Sequence, residues 1–301
     1  FEVAFGAATG GARSFCAMKH VGLNVAADPL YTASYIGVNG GMVCAVADDP
    51  GMHSSQNEQD SRHHAIASKT PMLEPSDSAE CCSFAKIAYE LSERFDTPFL
   101  LRLSTRVSHA RSLVDLSDRN EVGVKDYKKD VMKNVMMPAM ARGAHVRVEE
   151  RLSAMTDFAD SEAVELGINT IEYNDKKTGI IAAGTSYTYA REAMGEKASY
   201  LKLGMVNPLP VKLIKDFAKE VDELIVIEEL DDIIETHCIK LGLKVKGKEL
   251  FSRLGEFSQA TIKAVLTDEK AEFDLFDEEI PSRPPVLCAG CPHRGLFYSL
   301  K

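Results

Sequence analysis

Gly41-Met-Val-Cys-Ala-Val-Ala47 runs directly into Asp48-Asp-Pro-Gly-Met-His-Ser-Ser-Gln-Asn-Glu-Gln-Asp-Ser-Arg62, and the reading of the fold turns on this stretch. The first seven residues are apolar and partly β-branched, the signature of a short buried strand. Fifteen polar or turn-forming residues then leave its carboxyl end before a helical pattern resumes. Open parallel sheets bind ligands just outside the carboxyl ends of their strands. A structureless loop of this length in a compact domain is functional or disordered. The loop is therefore a candidate site, with a solvated connector as the alternative.

Working outward, residues 1–9 read as the end of a helix stopped by Gly10-Gly11, and Ala12 to Met18 as a second, short buried strand. A polar turn at Lys19-His20 leads into a helical stretch reaching Tyr35. Asp77 to Arg94 has helical spacing, with Asp77 as N-cap and Glu80 three residues later, the pattern of a capping box. Pro98 interrupts the chain, and Phe99 to Leu103 is another strand. Strands alternating with helices indicate an α/β domain built on a parallel sheet.

The pattern weakens from Leu113 to Asn174. Residues 145–166 read as a long helix, and the Met-rich run at 136–140 as packing or a subunit contact. A linker is expected between Gly167 and Gly179. Beyond it, strands at Gly179–Ala183, Ala198–Leu203 and Glu223–Ile227 alternate with helices at Tyr187–Met194, 211–220 and 231–241. Gly184-Thr-Ser186 reads as a tight turn. It lacks the glycine-rich fingerprint and the lysine of a phosphate-binding loop.

The chain has 301 residues, 45% hydrophobic and 27% charged, enough for two domains with real cores. A net charge of −10 argues against nucleic acid and anionic membrane as partners. No apolar run approaches a membrane span. Seven scattered cysteines are no disulfide framework and suit a reducing cytoplasm. Phe1 lies inside an apolar pattern and Lys301 interrupts an amphipathic segment, so the chain is read as a fragment.

Three groups of residues can carry chemistry. In the opening loop, His53 can shuttle protons near neutral pH, and Arg62 can hold a carboxylate by a two-point contact. Gln56, Asn57 and Gln59 suit hydrogen bonding. At the end of the next strand, Arg106 and His109 can face that loop, or Arg106 can pair with an acidic loop residue. The third group is Cys288-Ala-Gly-Cys-Pro-His-Arg-Gly295. It can act as a dithiol at a helix N-terminus, as half a zinc site completed by His237 and Cys238, or as a turn whose glycine lets backbone approach a ligand.

Together these segments resemble the 2-oxoacid:ferredoxin oxidoreductase family, which depends on thiamine diphosphate, in the alpha subunit of its indolepyruvate branch. The matching residues are Met18 to Pro29, Asp48 to Arg62, Thr105 to His109, Leu203 to Pro210, Val226 to Leu230 and Cys288 to Gly295. The resemblance implies a pyrimidine-binding-type domain over 1–170, a transketolase C-terminal-like domain over 178–284, and the start of a diphosphate-binding domain over 285–301. It implies oxidative decarboxylation of an aryl pyruvate to an aryl-acetyl-CoA, with electrons passing through 4Fe-4S clusters to ferredoxin. A beta subunit, CoA and a homo-oligomer are the implied partners.

By the same resemblance, Cys288, Gly290, Cys291 and His293 approach the cofactor. His53, Gln56, Asn57, Gln59 and Arg62 line the substrate or cofactor loop. The glutamate that activates thiamine would precede Phe1. The Mg²⁺–diphosphate motif and the cluster cysteines would follow Lys301. The 301 residues alone are therefore expected to bind no cofactor tightly and to be inactive. A related pyruvate or branched-chain oxidoreductase and a non-catalytic interaction domain are the alternatives.

Overall fold

Helix α1 (Glu2–Thr9) ends at the Gly10-Gly11 pair, and β1 (Ser14–Lys19) follows. This computed structural model describes residues 1–267, 269, 279, 281, 287 and 289–301. Helices α2 (His20–Val25) and α3 (Ala27–Ile36) lead to β2 (Met42–Asp48), the strand read above. The polar loop then runs to α4 (Ser61–Ser68), β3 (Met72–Leu73), α5 (Ser78–Phe95), β4 (Phe99–Ser104) and α6 (Thr105–His109). Next come α7 (Val131–Asn134), α8 (Pro138–Asp160) and α9 (Glu162–Glu165). The remaining elements of this part are β5 (Thr170–Glu172), β6 (Thr178–Ala183), α10 (Gly184–Met194), β7 (Ser199–Leu203), β8 (Met205–Asn207), α11 (Lys212–Lys219), β9 (Glu223–Ile227), α12 (Ile233–Lys240) and α13 (Gln259–Leu266).

Two sheets result, ordered β1-β2-β4-β3-β8 and β5-β7-β6-β9. The α/β class is as expected, but the sheets are mixed. β8 runs antiparallel to β3, and β5 antiparallel to β7. β5 falls in the segment read as linker, and β3 is only two residues long, too short to show a periodic signal. One apolar core joins the sheets, packing Leu23, Leu30, Val46 and Met72 with Ile181, Leu201 and Val226. Each such side chain is worth about 1.5–3 kcal/mol when fully buried. Phe1–Lys270 accordingly forms one compact unit, and the cut drawn between 170 and 178 passes through a shared core.

Local chemistry explains the element ends. Asp77 caps α5 by accepting from the Glu80 amide at 2.8 Å. The Glu80 carboxylate takes the Ser76 amide and hydroxyl instead of the Asp77 amide, so the capping box closes one residue early. Pro138 opens α8 seven residues ahead of the expected start, because its fixed φ and missing N–H suit a first helical turn. Within 105–137 only α6 and α7 are regular, and the segment between them crosses Gly11, whose φ is +99°. The Lys125 amide donates to the Gly11 carbonyl at 2.9 Å, an approach that a Cβ at position 11 would obstruct.

Ala271–Lys301 is the second unit. Its described helix, α14 (Pro292–Leu300), has Cys291 as N-cap and proline in its first turn.

Candidate functional site

The first sheet brings Lys19, Asp48 and Ser104 to one edge, since β1, β2 and β4 are parallel neighbours in register. Asp49, the next residue, is the hub of the loop. Its carboxylate accepts from the Ser54 amide at 3.0 Å, the Ser55 hydroxyl at 2.5 Å, the Thr105 hydroxyl at 2.6 Å and the Lys19 ammonium at 3.1 Å. Burial pushes this carboxyl up, but the four donors outweigh it and hold Asp49 well below the ordinary carboxylate range. The loop therefore has a fixed course without secondary structure of its own.

Beneath the hub lies a buried ionic layer. Arg102 reaches Asp48 at 2.7 Å, Glu74 at 2.6 Å and Asp60 at 3.7 Å. Arg62 is only 1% exposed. It grips Asp60 through Nε at 2.9 Å and Nη2 at 2.5 Å, and its Nη1 meets Glu228 at 2.5 Å. Nη2 also donates to the carbonyls of Glu229 and Asp231. The two-point grip expected of Arg62 is thus made on its own chain. Arg62 ties the loop's end to the second sheet and does not line the loop's outer surface.

Glu228 also accepts the first amides of α12, from Ile234 and Glu235, at 3.0 and 2.9 Å. Glu229 takes the Phe257 amide at 2.7 Å. Gly184-Thr-Ser186, read as a turn, is the first turn of α10. A Cβ on Gly184 would sit 2.5 Å from Glu74 Oε1, so this helix start faces a carboxylate of the same chain.

The layer holds five buried carboxyls, Asp48, Asp60, Glu74, Glu228 and Glu229, against two buried guanidiniums, Arg62 and Arg102. Desolvation accordingly pushes Asp48, Glu228 and Glu229 upward. A carboxyl raised in the folded state stabilises while protonated. That contribution is lost as pH rises from the ordinary carboxylate value through the folded one. Glu229→Gln keeps an acceptor for Phe257 and cannot ionise. Its melting temperature is expected to fall less than the parent's between about pH 5 and pH 8. A parallel decline of both proteins would contradict the assignment.

On the outer side, His53 Nε2 lies 3.1 Å from Glu256 Oε2. Arg106 donates to the same oxygen at 2.6 Å and also pairs with Oε1. The structure thus joins His53 and Arg106 through Glu256, which no motif marked. Gln56 and Asn57 are exposed, and Gln59 donates to the Asn57 side chain at 3.0 Å. His109 and Arg106 border a cleft of about 400 Å³ with Ser76, Asp77, Thr188 and Tyr189. His20, read as part of a turn, is 1% exposed, and neither ring nitrogen has a partner. A polar residue wedged between a strand and an apolar helical run was the available signal.

In the second unit, Gly290 is exposed with φ +82°, and Cys291 Sγ lies 3.4 Å from His293 Nδ1. Cys288 lies outside the described residues. Among those described, no three His, Cys, Asp or Glu side chains are grouped to hold a metal ion. No helix among the described residues is long and apolar enough to cross a membrane.

The model of the pyruvate flavodoxin/ferredoxin oxidoreductase family, thiamine-diphosphate-binding, matches residues 1–172. The chain belongs to this family. The indolepyruvate oxidoreductase subunit IorA of Archaeoglobus fulgidus is 38% identical over 321 residues, covering 100% of this chain and 51% of that protein. IorA of Methanothermobacter thermautotrophicus is 38% identical over 316 residues, again with 100% and 51% covered. The chain spans about half the length of the curated relatives it matches. The structure of 2-oxoglutarate:ferredoxin oxidoreductase from Magnetococcus marinus superposes with a TM-score of 0.68 at 16% identity, over 88% of this chain and 54% of that one. A split-gene transketolase gives 0.50 at 15% identity, over 88% and 78%. At these identities the two structures speak for the fold alone. The family assignment places the loop and its hub in a thiamine-diphosphate-binding domain.

Proposed function

We propose that the Asp48–Arg62 loop forms one wall of a thiamine-diphosphate cleft. The enzyme would oxidatively decarboxylate an aryl pyruvate, indolepyruvate foremost, to its acyl-CoA and reduce ferredoxin. The observation that carries this reading is the Asp49 hub, where Lys19, Ser54, Ser55 and Thr105 fix a polar loop at the carboxyl edge of a family domain. The residues present suit a polar heteroaromatic ring. His20 offers two unpartnered ring nitrogens directly after Lys19, and Gln56 and Asn57 carry exposed amides.

Thiamine diphosphate, when bound, supplies the nucleophile and the electron sink. This chain's part is to bind, orient and exchange protons. Asp49 keeps the loop in one conformation, and Glu256 holds Arg106 and engages His53 through Nε2, which leaves Nδ1 to take or return a proton. Cys288, Gly290, Cys291 and His293 are assigned to the turn approaching the cofactor. Mg²⁺, the 4Fe-4S clusters, the beta subunit, homo-oligomeric assembly and a cytoplasmic location belong to the proposed complete enzyme. The 301 residues alone are expected to be inactive, with no micromolar thiamine diphosphate binding by calorimetry.

The test is ferredoxin reduction by the complete enzyme with CoA and a panel of 2-oxoacids. Thiamine-dependent turnover is expected, with kcat/KM highest for indolepyruvate. Turnover highest for pyruvate or a branched-chain 2-oxoacid would overturn the aryl assignment, and no turnover with any 2-oxoacid would overturn the reaction class.

A further inference from the structure

Two of the seven cysteines face each other across the strand pair that feeds the site. Cys16 of β1 and Cys44 of β2 are direct partners in the parallel register. Register partners point to the same side of a sheet, and both pack against the same apolar cluster. Neighbouring strands lie about 4.7–4.9 Å apart, inside the Cα separation of about 4.4–6.8 Å that a disulfide spans. The two thiols are unequal. Cys44 is fully buried, whereas Cys16, on the edge strand, is partly accessible.

We propose that Cys16 and Cys44 form an oxidisable dithiol, modified by low-molecular-weight disulfides, with Cys16 as the attacking thiol and Cys44 as the resolving one. The Cys16 thiolate attacks one sulfur of glutathione disulfide, forming a mixed disulfide and releasing one glutathione thiolate. Cys44 then gives up its proton and attacks the Cys16 sulfur, releasing the second glutathione. Two protein thiols are oxidised, one small disulfide is reduced to two thiols, and no other reactant is needed.

The asymmetry has a physical source. Hydrogen bonding from Cys44 favours the Cys16 thiolate, and partial burial opposes it less strongly. Cys44 is pushed upward by the same contact and by burial, so it reacts only once Cys16 is tethered beside it. Cys81, on α5, is also partly accessible, but burial and the nearby Asp77 carboxylate raise its thiol. The product would tie edge strand β1 to β2 three residues before Lys19, the cation that reaches Asp49.

The purified full-length protein, treated with glutathione disulfide and mapped by peptide mass spectrometry, should yield a Cys16–Cys44 cross-linked peptide and no lasting glutathione adduct. Cys44→Ala should instead trap glutathione on Cys16. A second reading does not require oxidation. Iodoacetamide alkylation of Cys16 near neutral pH should slow on the order of tenfold in Cys44→Ala, because the thiolate loses its donor. A purely steric role for Cys44 predicts equal or faster alkylation. Persistent glutathione on Cys16 in the parent, or separate alkylation of both thiols after oxidation, would overturn the proposal.

Discussion

Arg62→Ala is expected to cost the fold on the order of 3–5 kcal/mol, because it strands two buried carboxylates without their cation. Asp60 and Glu228 both depend on this guanidinium, at 2.5 Å each. Burial opposes the charge on Asp60, and Arg62 with Arg102 reverses that, holding it far below the ordinary carboxylate range. Removing one cation leaves Asp60 to protonate or to draw in water. Arg62 also supplies donors to the Glu229 and Asp231 carbonyls, so the loop's end would lose its tie to the second sheet. Arg62→Lys restores charge but not the planar fork, and is expected to recover only part of the loss. Denaturant midpoints measure this. An alanine variant within about 1 kcal/mol of the parent would mean that the layer adds little to the apolar core that joins the sheets.

Asp49→Ala is expected to damage turnover more than it damages the fold. The hub's donors come from β1, the loop and the start of α6, and none carries a core. Their release lets the loop move by an ångström or more, a displacement that costs on the order of 100-fold in rate when it misplaces a reacting partner. The loss should fall on kcat/KM in the complete enzyme and outrun a smaller drop in the unfolding midpoint, because a carboxyl held below its unfolded value also stabilises the fold at neutral pH. Asp49→Asn keeps an acceptor but loses the charge matched to Lys19, so an intermediate rate is expected. The pH sense follows from the lowered carboxyl. Its contribution is complete above the unfolded value of about 3.9 and is lost only as pH falls through the folded value, below that. An alanine variant with parental kinetics would remove Asp49 from any positioning role.

The strands at Met42–Asp48, Phe99–Ser104 and Glu223–Ile227 could be read from sequence because each is a short, mostly apolar run bounded by turn residues. Helix α4 escaped notice. Its N-cap, Asp60, sits inside the polar run, and its buried face uses Ser61, Arg62, Ala65 and Ser68, not an apolar stripe. Strands β3 and β8 pair across the two halves of the chain over two or three residues, a length at which alternation carries no information.

The loop was visible as a candidate site from its polarity and its place after β2. The role of Arg62 was not, because a guanidinium reads the same whether it faces a ligand or Glu228, which lies 166 residues away. Glu256 was hidden for a similar reason, since only the fold brings it to His53 and Arg106. His20 reads as a turn residue, and only the fold shows that its two ring nitrogens lack partners.

Hydrogen exchange of the complete enzyme, with and without thiamine diphosphate and Mg²⁺, tests most directly whether the loop is a wall of the cofactor cleft. Amides between Asp49 and Asp60 are predicted to gain protection when the cofactor is added, and this gain should shrink in Asp49→Ala. Cofactor-induced protection confined to other segments, with the exchange of 49–60 unchanged, would contradict it.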